Sequence, residues 1–75
     1  MYINNLGKII RSERRSWGMS KRKLAKLSYT DVETIEDIES GKEKNPDFFL
    51  MLKICDILEI SVFTLLNEKN FLKGE

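Results

Sequence analysis

Histidine is missing from this 75-residue chain, and cysteine appears once. Without histidine, zinc sites of the usual Cys/His kind and any imidazole acid–base machinery are excluded. A lone cysteine makes no internal disulfide. No apolar run approaches the ~20 residues that span a bilayer. The opening stretch, MYINNLGKIIRSERR, lacks the continuous apolar core of a signal peptide. A cytoplasmic protein without membrane attachment is expected. Nucleophile–base pairs, glycine-rich phosphate loops and metal-ligand spacings are also lacking. The chain does not read as an enzyme, and no catalytic residue, metal, cofactor or small-molecule ligand is expected. Ser20 and Ser61 read as helix caps, and Cys55, at an apolar helix position, as a buried and inert thiol.

What is present fits one small domain over 1–75. A chain this short buries only roughly 60% of its unfolded surface and is marginal alone. At 41% hydrophobic and 33% charged it has the composition of an ordinary globular domain. Its net charge of +1 hides an asymmetry. Up to Leu27 the basic residues Lys8, Arg11, Arg14, Arg15, Lys21, Arg22, Lys23 and Lys26 face Glu13 alone. From Ser28 to Asp47 the acids Asp31, Glu33, Glu36, Asp37, Glu39, Glu43 and Asp47 outweigh Lys42 and Lys44. A basic front suits phosphate, although single lysines also serve as solvated helix faces.

Five helices fit the pattern, and nothing alternates with a strand period over any length. A first helix runs from Asn4 or Asn5 to Trp17, with Leu6, Ile10, Glu13, Arg14 and Trp17 on one face, and Gly18 stops it. Ser20 caps a second helix, Lys21 to Leu27, with Leu24 and Ala25 inward. Ser28, Tyr29 and Thr30 form a turn. Asp31 caps a third helix, Val32 to Ser40, which ends at Gly41. After a polar loop, Asp47 caps a fourth helix through Leu58, and Ser61 caps a short fifth reaching about Leu66. The tail 67–75 offers little beyond Phe71 and Leu72. Two short helices joined by a tight turn, over about 20–40, are the layout of a helix-turn-helix.

With that frame, the chain resembles the Cro/cI-type (Xre) helix-turn-helix family of phage and bacterial regulators. The resemblance covers 6–66. It rests on Leu6 and Gly7, Ile10 and Arg11, Arg14, Gly18 to Ser20, Leu24 and Ala25, Thr34 and Ile35, Ile38 and Glu39, Gly41, Pro46, Ile54, Leu58, and Leu65 and Leu66, in that order. It implies an all-α, compact five-helix fold of the lambda-repressor type. It further implies a sequence-specific transcriptional regulator, a repressor, that reads double-stranded DNA in the major groove.

By the same resemblance, Arg14 and Glu39 form a structural ion pair between the first and third helices. Lys21, Val32, Glu33, Glu36 and Asp37 stand where relatives meet bases, Lys21 in place of a common glutamine. Arg11, Arg15, Ser20, Arg22, Lys42 and Lys44 stand near phosphates. The carboxylates on the reading helix are unusual, but Glu and Asp accept hydrogen bonds from cytosine N4. Two alternatives stay open. Tyr29 stands where relatives usually have glycine, so either the turn is strained or the third helix is aimed differently. In the second case the fold would be a protein-interaction module whose acidic helix binds a basic partner. Phe49, Leu50, Ile57 and Phe63 fall at positions usually polar in the family, and a homodimer interface is expected through Phe49, Ile57, Phe63 and Phe71. Phe48, Met51, Leu52, Ile54, Cys55 and Leu58 supply the inward face, and Ile9 and Trp17 also call for burial.

Overall fold

The computed structural model describes residues 5–66. Four helices follow one another: α1 (Leu6–Ser16), α2 (Lys21–Leu27), α3 (Val32–Ser40) and α4 (Phe48–Leu58). A single helical turn, α5 (Val62–Leu66), comes after them. Among the described residues there is no strand, and no helix is long and apolar enough to cross a membrane. The expected fifth helix is thus reduced to one turn of five residues, held by the Leu65 amide donating to the Ser61 carbonyl at 3.2 Å and by the buried Leu65 side chain. The tail 67–75, with Phe71, lies outside the described residues.

Three of the four helices begin on a side chain read correctly as a cap. Ser20 Oγ accepts from the Lys23 amide at 3.0 Å, and Asp47 Oδ2 accepts from the Leu50 amide at 3.0 Å. Asp31 Oδ1 accepts from both the Thr34 amide, at 2.9 Å, and the Thr34 hydroxyl, at 2.6 Å. α1 differs: it starts at Leu6, and Asn5 at its head is left-handed (φ 63) and makes no side-chain cap.

Helix ends share a device of their own. The Met19 amide reaches back to Arg14 O and the Gly18 amide to Arg15 O. The same crossed pair recurs as Thr30 to Ala25 with Tyr29 to Lys26, and as Ile60 to Cys55 with Glu59 to Asp56. These are Schellman endings, whose central residue must be left-handed. Gly18 supplies it freely at φ 67, but Tyr29 at φ 60 and Glu59 at φ 58 bear a Cβ there.

The hydrogen bonds to Thr34 Oγ1 and to the Thr34 amide hold the Asp31 carboxyl below its ordinary range. A depressed folded pKa means that the cap contributes fully above the unfolded value near 3.9 and is lost as pH falls through the lower folded value. Asp31→Asn caps without titrating. It is expected to flatten the acid limb of a melting-temperature series between about pH 6 and about pH 2. An acid limb as steep as the wild type's would refute this role.

The core joins Leu6 and Ile10 of α1, Leu24 and Ala25 of α2, Ile35 and Ile38 of α3, and Met51, Ile54, Cys55 and Leu58 of α4, with Leu65 closing it. Burying each large aliphatic chain contributes about 1.5–3 kcal/mol relative to exposure. Burial pushes the Cys55 thiol up from its ordinary range, which leaves it protonated and unreactive.

Three expected inward residues are exposed, and a fourth, Leu52, is only half-buried and lies outside the core cluster. Phe48, the first residue of α4, is 47% exposed, edge-on against Phe49 with ring centroids 6.0 Å apart. Trp17 is 51% exposed, since the helix ends before it and turns its ring to the rim, where indole Nε1 donates to the Leu58 carbonyl at 2.9 Å. Glu13 is exposed as well, whereas Ile9 packs half-buried against the core.

α1 crosses the end of α3 very closely. A Cβ at Gly7 would collide with the Ile38 carbonyl oxygen and lie 2.8 Å from the Glu39 carbonyl oxygen. Only glycine lets the two backbones approach this far.

Candidate nucleic-acid interface

α2 and α3 are the helix pair of the expected frame, joined by Ser28–Asp31. Ser28 is fully buried, and its hydroxyl donates to Leu24 O at 2.7 Å, sealing the end of α2. The turn keeps its left-handed residue even though that residue is Tyr29, so α3 is not re-aimed by a rearranged turn. The tyrosine ring swings out, 86% exposed, with Lys53 Nζ 5.5 Å above its centroid.

The orientation of α1 against α3 is held by charge. Arg14 Nε donates to Glu39 Oε2 at 2.6 Å and Arg14 Nη2 to Glu39 Oε1 at 3.0 Å, and both residues are buried. Arg14 Nη1 donates to the Met19 carbonyl at 2.7 Å, which also pins the loop before α2. The hydrogen bond to Glu39 raises the Arg14 pKa further, against the opposing effect of burial. The pair has a third member not expected from the sequence: Arg11 Nε stands 3.6 Å from Glu39 Oε1. Arg11 precedes Arg14 by three residues on α1, a spacing that puts both on one face of the helix and lets them share a partner.

The base-facing set is only partly free. Glu33 is exposed and Asp37 half-buried. Glu36 is exposed but pairs with Lys21, Nζ to Oε2 at 3.9 Å. Val32 is half-buried and packs against the core, so less of it is available than a groove-facing position implies.

Among the expected phosphate contacts, Arg15 and Arg22 are exposed. Ser20 is exposed too, with its hydroxyl oxygen already accepting as the α2 cap. Lys42 is exposed in the loop after α3. Lys44 folds back so that Nζ donates to the Gly41 carbonyl at 3.0 Å, which occupies it as a C-terminal cap of α3.

Of the expected dimer residues, Phe49 is 70% and Phe63 86% exposed. Ile57 is half-buried against the core, because it lies three residues after the buried Ile54 and shares part of its face. Phe71 lies outside the described residues.

A helix-turn-helix family model matches residues 10–65. The chain is 32% identical over 65 residues to the HTH-type transcriptional regulator SinR of Bacillus licheniformis, which covers 87% of this chain. It spans 59% of that regulator's length. The N-terminal DNA-binding domain of SinR from Bacillus subtilis is 31% identical, superposes with a TM-score of 0.77, and is matched over 93% of its length and 85% of this chain. A SinR structure described as the master regulator for biofilm formation in complex with DNA is 29% identical at a TM-score of 0.76, covering 83% of this chain and 98% of its own.

Proposed function

The chain belongs to the helix-turn-helix family, and on that premise we propose that it is a DNA-binding transcriptional regulator, a repressor of the Cro/cI type, acting in the cytoplasm. The observation that carries this reading is the α2–turn–α3 unit. It combines a basic, Ser20-capped α2 with an outward α3 face, in an arrangement that superposes on a domain named for DNA binding. The relatives are regulators rather than enzymes.

In this reading α3 enters the major groove with Lys21, Val32, Glu33, Glu36 and Asp37 toward base edges. Arg11, Arg15, Ser20, Arg22, Lys42 and Lys44 flank the phosphates. Arg15, Arg22 and Lys42 are exposed for this, while Arg11 and Lys44 must first give up Glu39 and Gly41. The phosphate contacts hold the protein in register without reading sequence, and the carboxylates act as filters against wrong bases.

Unit charges 4 Å apart interact by about 1 kcal/mol even in water, so outward carboxylates oppose non-specific binding. Replacing Glu33, Glu36 and Asp37 together by glutamine is expected to raise affinity for random duplex by about tenfold at low salt. Fluorescence anisotropy on a random duplex checks this, and unchanged affinity would mean that these residues do not face DNA.

Two copies would read two half-sites about one DNA turn apart. Exposed Phe49 and Phe63 support a homodimer, with Ile57 contributing only its outer edge. Sedimentation equilibrium at high micromolar concentration is expected to give a dimer mass, and Phe63→Ser a monomer. A wild-type monomer throughout would remove the dimer.

The alternative, a protein-interaction module docking a basic partner on α3, loses one support, because the turn before α3 keeps its left-handed form. Selection of random duplex DNA at about 50 and about 200 mM salt decides between the two readings. A recovered motif supports the regulator. No enrichment at either salt favours the protein partner.

A further inference from the structure

Lys21 opens α2 and Glu36 lies in the second turn of α3, yet their charges stand 3.9 Å apart at the lip between the two helices. Both side chains are part-exposed, at 38% and 52%. An ion pair this open contributes little to folding. Its position matters more, because it joins the first residue of one helix to the outward face of the other. We propose that Lys21 and Glu36 act as one reading unit for a single base pair, preferring guanine on the strand nearer Lys21 and its cytosine beneath Glu36. This inference rests on the DNA-binding reading above and names its specificity.

Chemistry and spacing agree. A lysine ammonium donates to guanine O6 and N7, and a glutamate carboxylate accepts from cytosine N4. O6 and N4 of one G·C pair are hydrogen-bonded to each other, so they lie about 3 Å apart. A cation and an anion already 3.9 Å apart can engage these neighbouring atoms without separating. The unit is also neutral, so Glu36 enters a phosphate-lined groove with its charge compensated. Glu33 and Asp37 have no such partner across the helix pair.

The unit ranks the four pairs. G·C offers Lys21 two acceptors and Glu36 a donor. T·A still fits, with thymine O4 toward Lys21 and adenine N6 toward Glu36, but it brings adenine N7, an acceptor, to the carboxylate side. A·T offers the ammonium adenine N7 but turns thymine O4, an acceptor, to the carboxylate, and C·G turns a donor to the ammonium and two acceptors to the carboxylate, so both are rejected.

The test is selection of random duplexes on the full chain, using wild type, Lys21→Gln, Glu36→Gln and the double exchange Lys21→Glu with Glu36→Lys. The expected wild-type motif contains one column with G above T, and A and C excluded. Each single variant is expected to lose discrimination at that same column by about tenfold, within the range of one good base contact. The exchange variant keeps the ion pair and is expected to move the guanine to the opposite strand. Single variants that alter different columns, or a motif indifferent to Glu36→Gln, would overturn the unit while leaving DNA binding intact. A wild type that enriches no motif would remove the DNA reading, and the unit with it. Far-ultraviolet circular dichroism identifies any variant that fails to fold. If the exchange variant does, the two exposed single variants decide.

Discussion

Glu39→Ala is expected to cost about 3–5 kcal/mol, because it strands the buried Arg14 guanidinium. A chain of this length has a total stability of roughly 4–11 kcal/mol, so the variant stands at the edge of unfolding at room temperature. The loss is expected to be lopsided. With Arg14→Met, Glu39 keeps a partial partner in Arg11, whose Nε is already 3.6 Å away. With Glu39→Ala, Arg14 keeps only the neutral Met19 carbonyl at 2.7 Å. Urea denaturation should therefore rank Glu39→Ala below Arg14→Met. Replacing both residues with apolar ones of similar size should recover much of the loss, since an apolar substitute for a buried pair is often neutral. Equal losses for the two single variants would show that Arg11 gives no support. A small loss for Glu39→Ala would show that the pair is already hydrated.

Gly7→Ala is the second large effect, and its sign is the informative part. In the interior of an ordinary helix, glycine to alanine gains about 1 kcal/mol. Here the added methyl would strike the Ile38 carbonyl oxygen and come within 2.8 Å of the Glu39 carbonyl oxygen. Both are backbone atoms at the end of a helix and cannot rotate aside. α1 must then lift from α3, which lengthens the Arg14–Glu39 contacts at the same crossing. Overpacking of this kind costs about 1–3 kcal/mol or more. For so small a domain this lowers the melting temperature by about 4–8 °C per kcal/mol. A thermal melt showing stabilisation would mean that the helices stand further apart than 2.8 Å at that atom implies.

Much of this molecule is written locally. Ser20, Asp31 and Asp47 announce helix starts because a cap needs only a side chain three residues from an amide. Gly18 and Gly41 announce ends, and the spacing of Leu6, Ile10, Ile35 and Ile38 announces the buried faces. The Arg14–Glu39 pair was legible only through resemblance, since 25 residues separate its members. Glu59 gave no sign of adopting the left-handed form, because nothing in its neighbourhood forbids an ordinary conformation there. Phe48 and Trp17 look like core by composition, but each stands at a helix terminus, where the crossing angle of a neighbour decides what is covered. The candidate site was legible as a set of residues and not as a set of pairings. Lys21–Glu36 and Lys44 to Gly41 depend on which way long side chains swing once the helices are packed.

Trp17 is the chain's single tryptophan, and its indole is tethered to the last carbonyl of α4. That placement makes it an intrinsic optical probe of one joint, the contact between the end of α1 and the end of α4. Its emission should respond when that joint opens and report it without any attached dye. A fluorescence transition that runs ahead of the loss of helical ellipticity would identify the α1–α4 joint as the place where this small domain first comes apart.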